Sequence, residues 1–295
     1  MLLAFKIKLA VACAIGVAGP TAMAPIVAGL HWTESTGLDA PALTEIAPGA
    51  IRYRDAGDHV RNDRQAEAPL TTVRFDRPLT IMTNQVSAAD YHACAAAHAC
   101  RALDRDVAVA ADLPAVQVSW HDAVAYAAWM SQTTGDSYRL PTDAEWAHAA
   151  GSRFRDDGVT VDAADPSRRW IARYERESSR PEDARARTFG SFGVNEHGIA
   201  DLAGNVWEWT STCFTRKVQD GSGRSIRTGS NCGVRVAEGA HRAYVTDFIR
   251  DARAGGCASG APPTNLGFRL VREELSWSRI VRQRLGLMLR AIHPS

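Results

Sequence analysis

Hydrophobic positions along this chain come in short runs rather than in long periodic stretches. Between Leu70 and Met82, the residues Val73, Phe75, Leu79 and Ile81 alternate with polar neighbours, the two-residue period of short strands. Three other stretches carry a helical start. Ser87-Ala-Ala-Asp90, Ser119-Trp-His-Asp122 and Thr142-Asp-Ala-Glu145 each place a hydroxyl three residues before an acid. The hydroxyl can accept from an orphan backbone N–H, the acid can reach back to the cap, and its charge suits the positive end of a helix. An alanine-rich run comes after each, so helices are expected over roughly 87–98, 119–133 and 142–150. In the second, Trp120, Val124, Ala127 and Met130 or Ser131 fall on one face. Gly135 and Gly151 stand at stop positions.

The remaining segments are less regular. Residues 31–67 are polar and weakly patterned and read as a linker. Residues 152–188 are charged and irregular, a long surface excursion. From Phe189 onward, glycine, asparagine and aromatic residues separate short apolar runs. Val206-Trp-Glu-Trp209 reads as a strand with one charged face, and loops are expected to dominate from there to another short strand at Gly267–Val271. Residues 274–295 are expected to form a basic amphipathic helix, with Leu275, Ile280, Val281, Leu285, Met288, Leu289 and Ile292 on a broad apolar side beside Arg279, Arg282, Arg284 and Arg290. Docking on the domain is the plainer reading of that helix, contact with a membrane surface the other. At the opposite end, Lys6 and Lys8 precede an uncharged stretch from Leu9 to Leu30. Residues 1–30 therefore read as a signal peptide, with Ala22-Met-Ala24 as its small-residue cleavage site, or as an uncleaved membrane anchor; both export the rest of the chain.

Composition narrows the partners. The 34 basic side chains nearly balance the 33 acidic ones, which leaves no basic excess for nucleic acid. Outside the cytoplasm cysteines tend to pair. Cys94 and Cys100 lie six apart across an expected helix end, and Cys213 and Cys232 flank a Gly/Ser-rich loop; these are the two expected disulfides, with Cys257 left over. No CxxC or HExxH occurs, which argues against structural zinc.

Four blocks, in order and spacing, carry a resemblance. They are Val116–Tyr126 (VQVSWHDAVAY), Tyr138–Trp146 (YRLPTDAEW), Gly198–Trp209 (GIADLAGNVWEW) and Asn265–Val271 (NLGFRLV), with Gln85–Tyr91 upstream. Together they resemble the formylglycine-generating-enzyme (sulfatase-modifying-factor) superfamily over roughly residues 68–273. The resemblance implies a single α+β domain with little regular secondary structure, related to C-type-lectin-like folds. It also implies calcium, held by Asp201, Gly204 and Val206 through main-chain or side-chain oxygens and by the Glu208 carboxylate. Hard oxygen ligands in a glycine-containing turn suit that ion. Trp207 and Trp209 are expected in the core.

The pattern breaks where the chemistry sits. The family's enzymes convert a sulfatase cysteine to formylglycine with oxygen and a copper(I) ion held by two cysteines. Counted back from Arg250 and from Asn265, those positions fall on His241 and Thr246. An imidazole and a hydroxyl do not reproduce two soft thiolates, so copper is not expected. The candidate pocket is then His241, Thr246 and Arg250 within the polar run His241, Arg242, Tyr244, Asp247, Arg250, Asp251 and Arg253. That run can do acid–base chemistry, hold an anion, or be a salt-bridged loop network. His92 and His98 lack the spacing of the iron-binding relatives and are expected on a helix surface. The expected function is an exported accessory or maturation factor for another exported protein, without formylglycine-generating activity. The alternatives are an oxidative protein-modifying enzyme with an altered metal site around His241, or a formylglycine-generating enzyme proper.

Overall fold

The computed structural model of the chain describes residues 40–104, 107–155, 171–172, 175, 185–252 and 265–274. The N-terminal signal or anchor, nearly all of the C-terminal helix, Cys257 and most of the charged excursion lie outside the described residues. Among the described residues no helix is long and apolar enough to cross a membrane.

The cap chemistry forms the three helices where it predicts them: α1 (Ala88–Ala96), α2 (Trp120–Thr134) and α3 (Asp143–Ala150). Ser119 and Thr142 each close a reciprocal box with Asp122 and Glu145, whereas Ser87 accepts from the Asp90 amide and donates to its carboxylate. Gly135 ends α2 in the left-handed conformation that its lack of a Cβ permits. The buried face of α2 is Ala123, Tyr126, Ala127 and Met130; Val124, expected inside, is exposed. His92 and His98 are exposed, as expected.

Twelve strands accompany these helices: β1 (Leu43–Ile46), β2 (Gly49–Arg54), β3 (Asp58–Arg61), β4 (Arg64–Ala66), β5 (Leu70–Phe75), β6 (Leu79–Met82), β7 (Ser137–Arg139), β8 (Trp207–Gln219), β9 (Ser225–Glu238), β10 (Ala243–Thr246), β11 (Leu266–Gly267) and β12 (Val271–Glu273). They make a sheet of order β1-β6-β12-β7, a second of order β10-β9-β8-β3-β4 with β11 beside β8, and the ribbon β2-β5. Two expectations are corrected here. The described part of the expected linker, residues 40–67, is not a linker, since from Leu43 it supplies four strands built into the sheets: β1 pairs with β6, β2 with β5, β3 with its neighbour β4, and β3 also runs parallel to the distant β8. The region after Trp209 is not mainly loop, because β8 and β9 form a long hairpin.

The core has two main parts. Tyr91, Tyr126 and Phe268 pack ring against ring with Trp209, Val118 and Leu270 between α1, α2 and the hairpin. Trp146 of α3 packs with Ile46, Leu79, Ile81, Ile199, Leu202 and Val271 on the first sheet. Both expected disulfides are present, Cys94–Cys100 across the end of α1 and Cys213–Cys232 across the hairpin.

Candidate functional site

The GIADLAGNVWEW block is a tight turn feeding β8. Asp201, Ala203 and Asn205 have positive φ values of 59°, 59° and 36°, a conformation that costs about 1–3 kcal/mol per non-glycine residue unless its surroundings hold it. Side chains do the holding. Asp201 accepts from the amides of Gly190 and Phe192 (2.7 and 2.8 Å), and Asn205 exchanges two bonds with the Arg187 backbone (2.8 Å each). At Gly204 a Cβ would lie 2.7 Å from the Phe192 ring, so that position has no room for a side chain.

Glu208, expected on a charged strand face, is fully buried at 0% exposure. Burial of a charge demands a partner, and Arg269 of the NLGFRLV block supplies it through Nε to Oε2 (2.6 Å) and Nη2 to Oε1 (2.7 Å). Gln85 Nε2 and Trp146 Nε1 donate to the same two oxygens at 2.8 and 2.9 Å. Blocks far apart in sequence thus meet at one buried ion pair. Two members of the expected calcium set, Asp201 and Glu208, have their carboxylates engaged within the protein. Each Glu208 oxygen already accepts two bonds and faces a guanidinium, each Asp201 oxygen accepts an amide, and the Asp201 carbonyl accepts from Gly204 N (3.0 Å). Seven or so free oxygens with uncompensated charge are what calcium needs. Among the described residues, the side-chain acceptor at this centre without a donor is Gln85 Oε1.

The polar run 241–251 divides between two places. His241 is buried, edge-on to Trp207 at 5.3 Å, with Nδ1 3.1 Å from the Arg242 carbonyl; its own carbonyl accepts from Trp207 Nε1 (3.0 Å). Arg242 beside it is buried too. It donates through Nε to Glu238 (2.7 Å) and through Nη1 to the Arg54 carbonyl (2.9 Å), and Nη2 stands 3.2 Å from Asp143. The rings of Tyr53 and Phe154 flank it. Burial, then the charges of Asp143 and Asp55, push the Tyr53 phenol well above its usual range. Asp143 occupies the first position of α3, where the positive helix end offsets part of the cost of a carboxylate that accepts no hydrogen bond.

Arg250 serves the other place. It reaches Asp104 (2.7 Å), the Ala102 carbonyl (3.0 Å) and Asp122 of the α2 cap (3.1 Å), tying the loop after α1 to α2. Thr246 ends β10 opposite Val234, and Asp247 next to it pairs with the exposed His121 at 3.2 Å. The geometry thus assigns Arg250 a fastening role on the helix side, with His241 on the Trp207 side. Sequence reasoning missed Tyr53, Asp143 and Glu238 around Arg242, and Arg235, whose guanidinium stacks 3.8 Å over Trp120. Asp143 lies inside the YRLPTDAEW block, but nothing local marks it as buried. Two surface clefts open elsewhere, one lined by Arg77, Arg139 and Arg272, the other by Ile46, His148 and His197; neither includes His241, Thr246 or Arg250.

An α+β scaffold with three short helices, whose sequence blocks meet at the buried Glu208–Arg269 pair and whose long hairpin leads into a polar turn, defines the class of protein. The family model described as the sulfatase-modifying factor enzyme 1-like domain matches residues 31–274, and the chain belongs to that family. The match includes the strands before Leu70. Among curated relatives, the formylglycine-generating enzyme of Streptomyces coelicolor is 33% identical over 172 residues (54% of this chain, 52% of the relative). The inactive C-alpha-formylglycine-generating enzyme 2 of Bos taurus is 32% identical over 184 residues (52% and 54%). The chain spans about half the length of these relatives. The structure of PvdO from Pseudomonas aeruginosa shares the fold, with a TM-score of 0.52 at 22% identity over 79% of this chain and 95% of that one. The α+β formylglycine-generating-enzyme fold is therefore established, and the family contains both active and inactive members.

Proposed function

We propose that this chain is a family member that does not make formylglycine and serves as an accessory or maturation factor for another exported protein. One reading of the sequence carries the proposal: counted back from Arg250 and from Asn265, the positions to which the resemblance assigns the family's two copper thiolates hold His241 and Thr246. His241 is buried against Trp207, and the four described cysteines are closed in disulfides. One imidazole and one hydroxyl do not make the linear two-thiolate site that copper(I) prefers, so no step is routed through copper. What the chain keeps is the family's scaffold, on which a role other than catalysis can be built. Export, to the periplasm or as an inner-membrane-anchored form, rests on Lys6, Lys8 and the uncharged stretch 9–30.

The test is incubation of the purified chain with copper, oxygen and a sulfatase-derived cysteine peptide, read by mass spectrometry of the peptide. No aldehyde above the protein-free control is expected; aldehyde formation overturns the reading. Metal analysis beside His241→Ala is the second arm. Stoichiometric copper or iron lost in that variant would instead establish an oxidative enzyme with a replaced metal site.

A further inference from the structure

The ladder between β8 and β9 slips at one point. Cys213 lies opposite Arg235, and the next residue, Phe214, lies opposite Asn231, so Cys232, Gly233 and Val234 are extra residues in a bulge. The Cys213–Cys232 disulfide clamps that bulge, with the two Cα atoms 4.5 Å apart. Its two sulfurs have different surroundings. Cys232 is exposed. Cys213 is half-buried, and Nη1 of Arg235 donates to its Sγ at 3.1 Å while also reaching the Ser211 carbonyl at 2.9 Å. The same guanidinium lies on the Trp120 ring and keeps a buried Nε with no hydrogen-bond partner. A fixed cation with a donor to spare therefore sits at one sulfur, and open solvent meets the other.

Thiol–disulfide exchange runs fastest when the attacked sulfur is accessible and the departing sulfur forms a stabilised thiolate. We propose that Cys213–Cys232 is a thiol–disulfide exchange site for an external dithiol. A thiolate of the dithiol attacks Cys232 Sγ and forms a mixed disulfide. The electron pair of the broken S–S bond passes to Cys213 Sγ, which leaves as a thiolate against Arg235. The second thiol of the reagent, once deprotonated to water, attacks its own mixed-disulfide sulfur and releases Cys232 as a thiolate, which is then protonated. The reagent is oxidised to its cyclic disulfide by two electrons, and the chain is reduced by two. The Cys94–Cys100 bridge is built in the opposite sense: Cys94 is buried in the last turn of α1, where the negative helix end disfavours a thiolate.

Opening the bridge has a structural readout nearby. The Gly233 carbonyl of the bulge accepts from the Asp247 amide (3.0 Å), and Val234 pairs with Thr246, so release of the bulge loosens the support of the Thr246–Asp247 segment.

The experiment uses the full chain in graded dithiothreitol under anaerobic conditions, quenched with N-ethylmaleimide and read by peptide mass spectrometry at each cysteine. Cys213–Cys232 should open at least about tenfold faster than Cys94–Cys100, and Arg235→Gln should slow only the former, by about tenfold, while Arg235→Lys keeps most of the rate. Equal rates in wild type and Arg235→Gln, or earlier opening of Cys94–Cys100, overturn the proposal. Should Arg235→Gln loosen the fold and accelerate both bridges, the wild-type chain decides alone. With Cys232 held as a mixed disulfide, the pH midpoint for alkylation of Cys213 should fall below about 8.5, the value of an ordinary cysteine. A midpoint at or above that value refutes the role of Arg235.

Discussion

Arg269 and Arg242 are both buried arginines facing a buried glutamate, and the chain completes one centre while leaving the other open. Arg269 uses all of its donor directions: two to Glu208, the others to the carbonyls of Met82, Thr83 and Ala200. Glu208 in turn has both oxygens doubly bonded. Around Arg242 there are two carboxylates for one guanidinium, and Asp143 accepts no hydrogen bond. The closed centre joins separate sequence blocks and holds the scaffold. The open one, beside His241, is open in that, among the described residues, the Asp143 carboxylate accepts no hydrogen bond.

The largest expected effect comes from breaking the closed centre. Arg269→Met strands a fully buried carboxylate, and Glu208→Met strands a guanidinium; each should lower stability by about 3–5 kcal/mol in urea unfolding. The double variant should lose less than the sum, because neither charge is then left unpaired. Additive losses would mean that the pair is not the element that closes the fold.

A smaller effect tests burial of imidazoles on the β1–β6 and β8 sides of the molecule. Burial, then Lys217, pushes His59 below the usual imidazole value, and burial, then the neighbouring His197, does the same to His148 despite the Ala47 carbonyl. The unfolded chain therefore takes up these protons first. Stability should be full above about pH 6.5 and decline as pH falls below it through the folded-state values. His148, stacked on Phe75 at 4.4 Å, is the better probe. In His148→Phe the decline between neutral and mildly acid pH should flatten, as measured by thermal unfolding across that range. An unchanged slope would assign it to other groups.

The open centre predicts less still. Asp143→Asn removes the unbonded carboxylate and leaves Arg242 paired with Glu238, so stability should move by under about 1 kcal/mol in either direction. The Tyr53 phenol should titrate at a lower pH than in wild type, because the charge that acts on it after burial is gone. Spectrophotometric titration reads this. A loss as large as that of Arg269→Met would show that the two centres are not different in kind.

Legibility in the sequence tracks the range of each interaction. The three helix starts were legible because a cap is decided by residues three apart, and both disulfides because a helix end and a Gly/Ser-rich loop bring their cysteines together. The strands before Leu70 were not, since their partners lie as far off as Arg216–Gln219. In β9, every residue from Ser225 to Gly233 is exposed and only Ile226 and Cys232 among them are apolar, so no alternation announces a strand there. At the site, the polar run from His241 to Asp251 was legible as a dense cluster of charged and titratable residues. The surroundings of Arg242 were not, because Arg54, Asp143 and Glu238 reach it from three separate segments.

Calcium sharpens the same comparison at its small end. Arg269 already supplies a cation to Glu208, and a divalent ion beside that guanidinium would add repulsion and displace bonds that both oxygens hold. Thermal unfolding should therefore be the same in millimolar calcium and in excess chelator. An ion bound to the folded chain at about 100 times its Kd would add about 2.7 kcal/mol, a shift of roughly 5–10 °C for a domain of this size, well within detection. Gln85 Oε1 decides where such a shift would come from, being the described side-chain acceptor at this centre with no donor. A calcium-dependent rise that is lost in Gln85→Leu would put the ion beside Glu208 and make the centre a shared cation site. A rise that survives in Gln85→Leu would move the ion away from Glu208 and leave the Arg269 pair as the element that closes the fold.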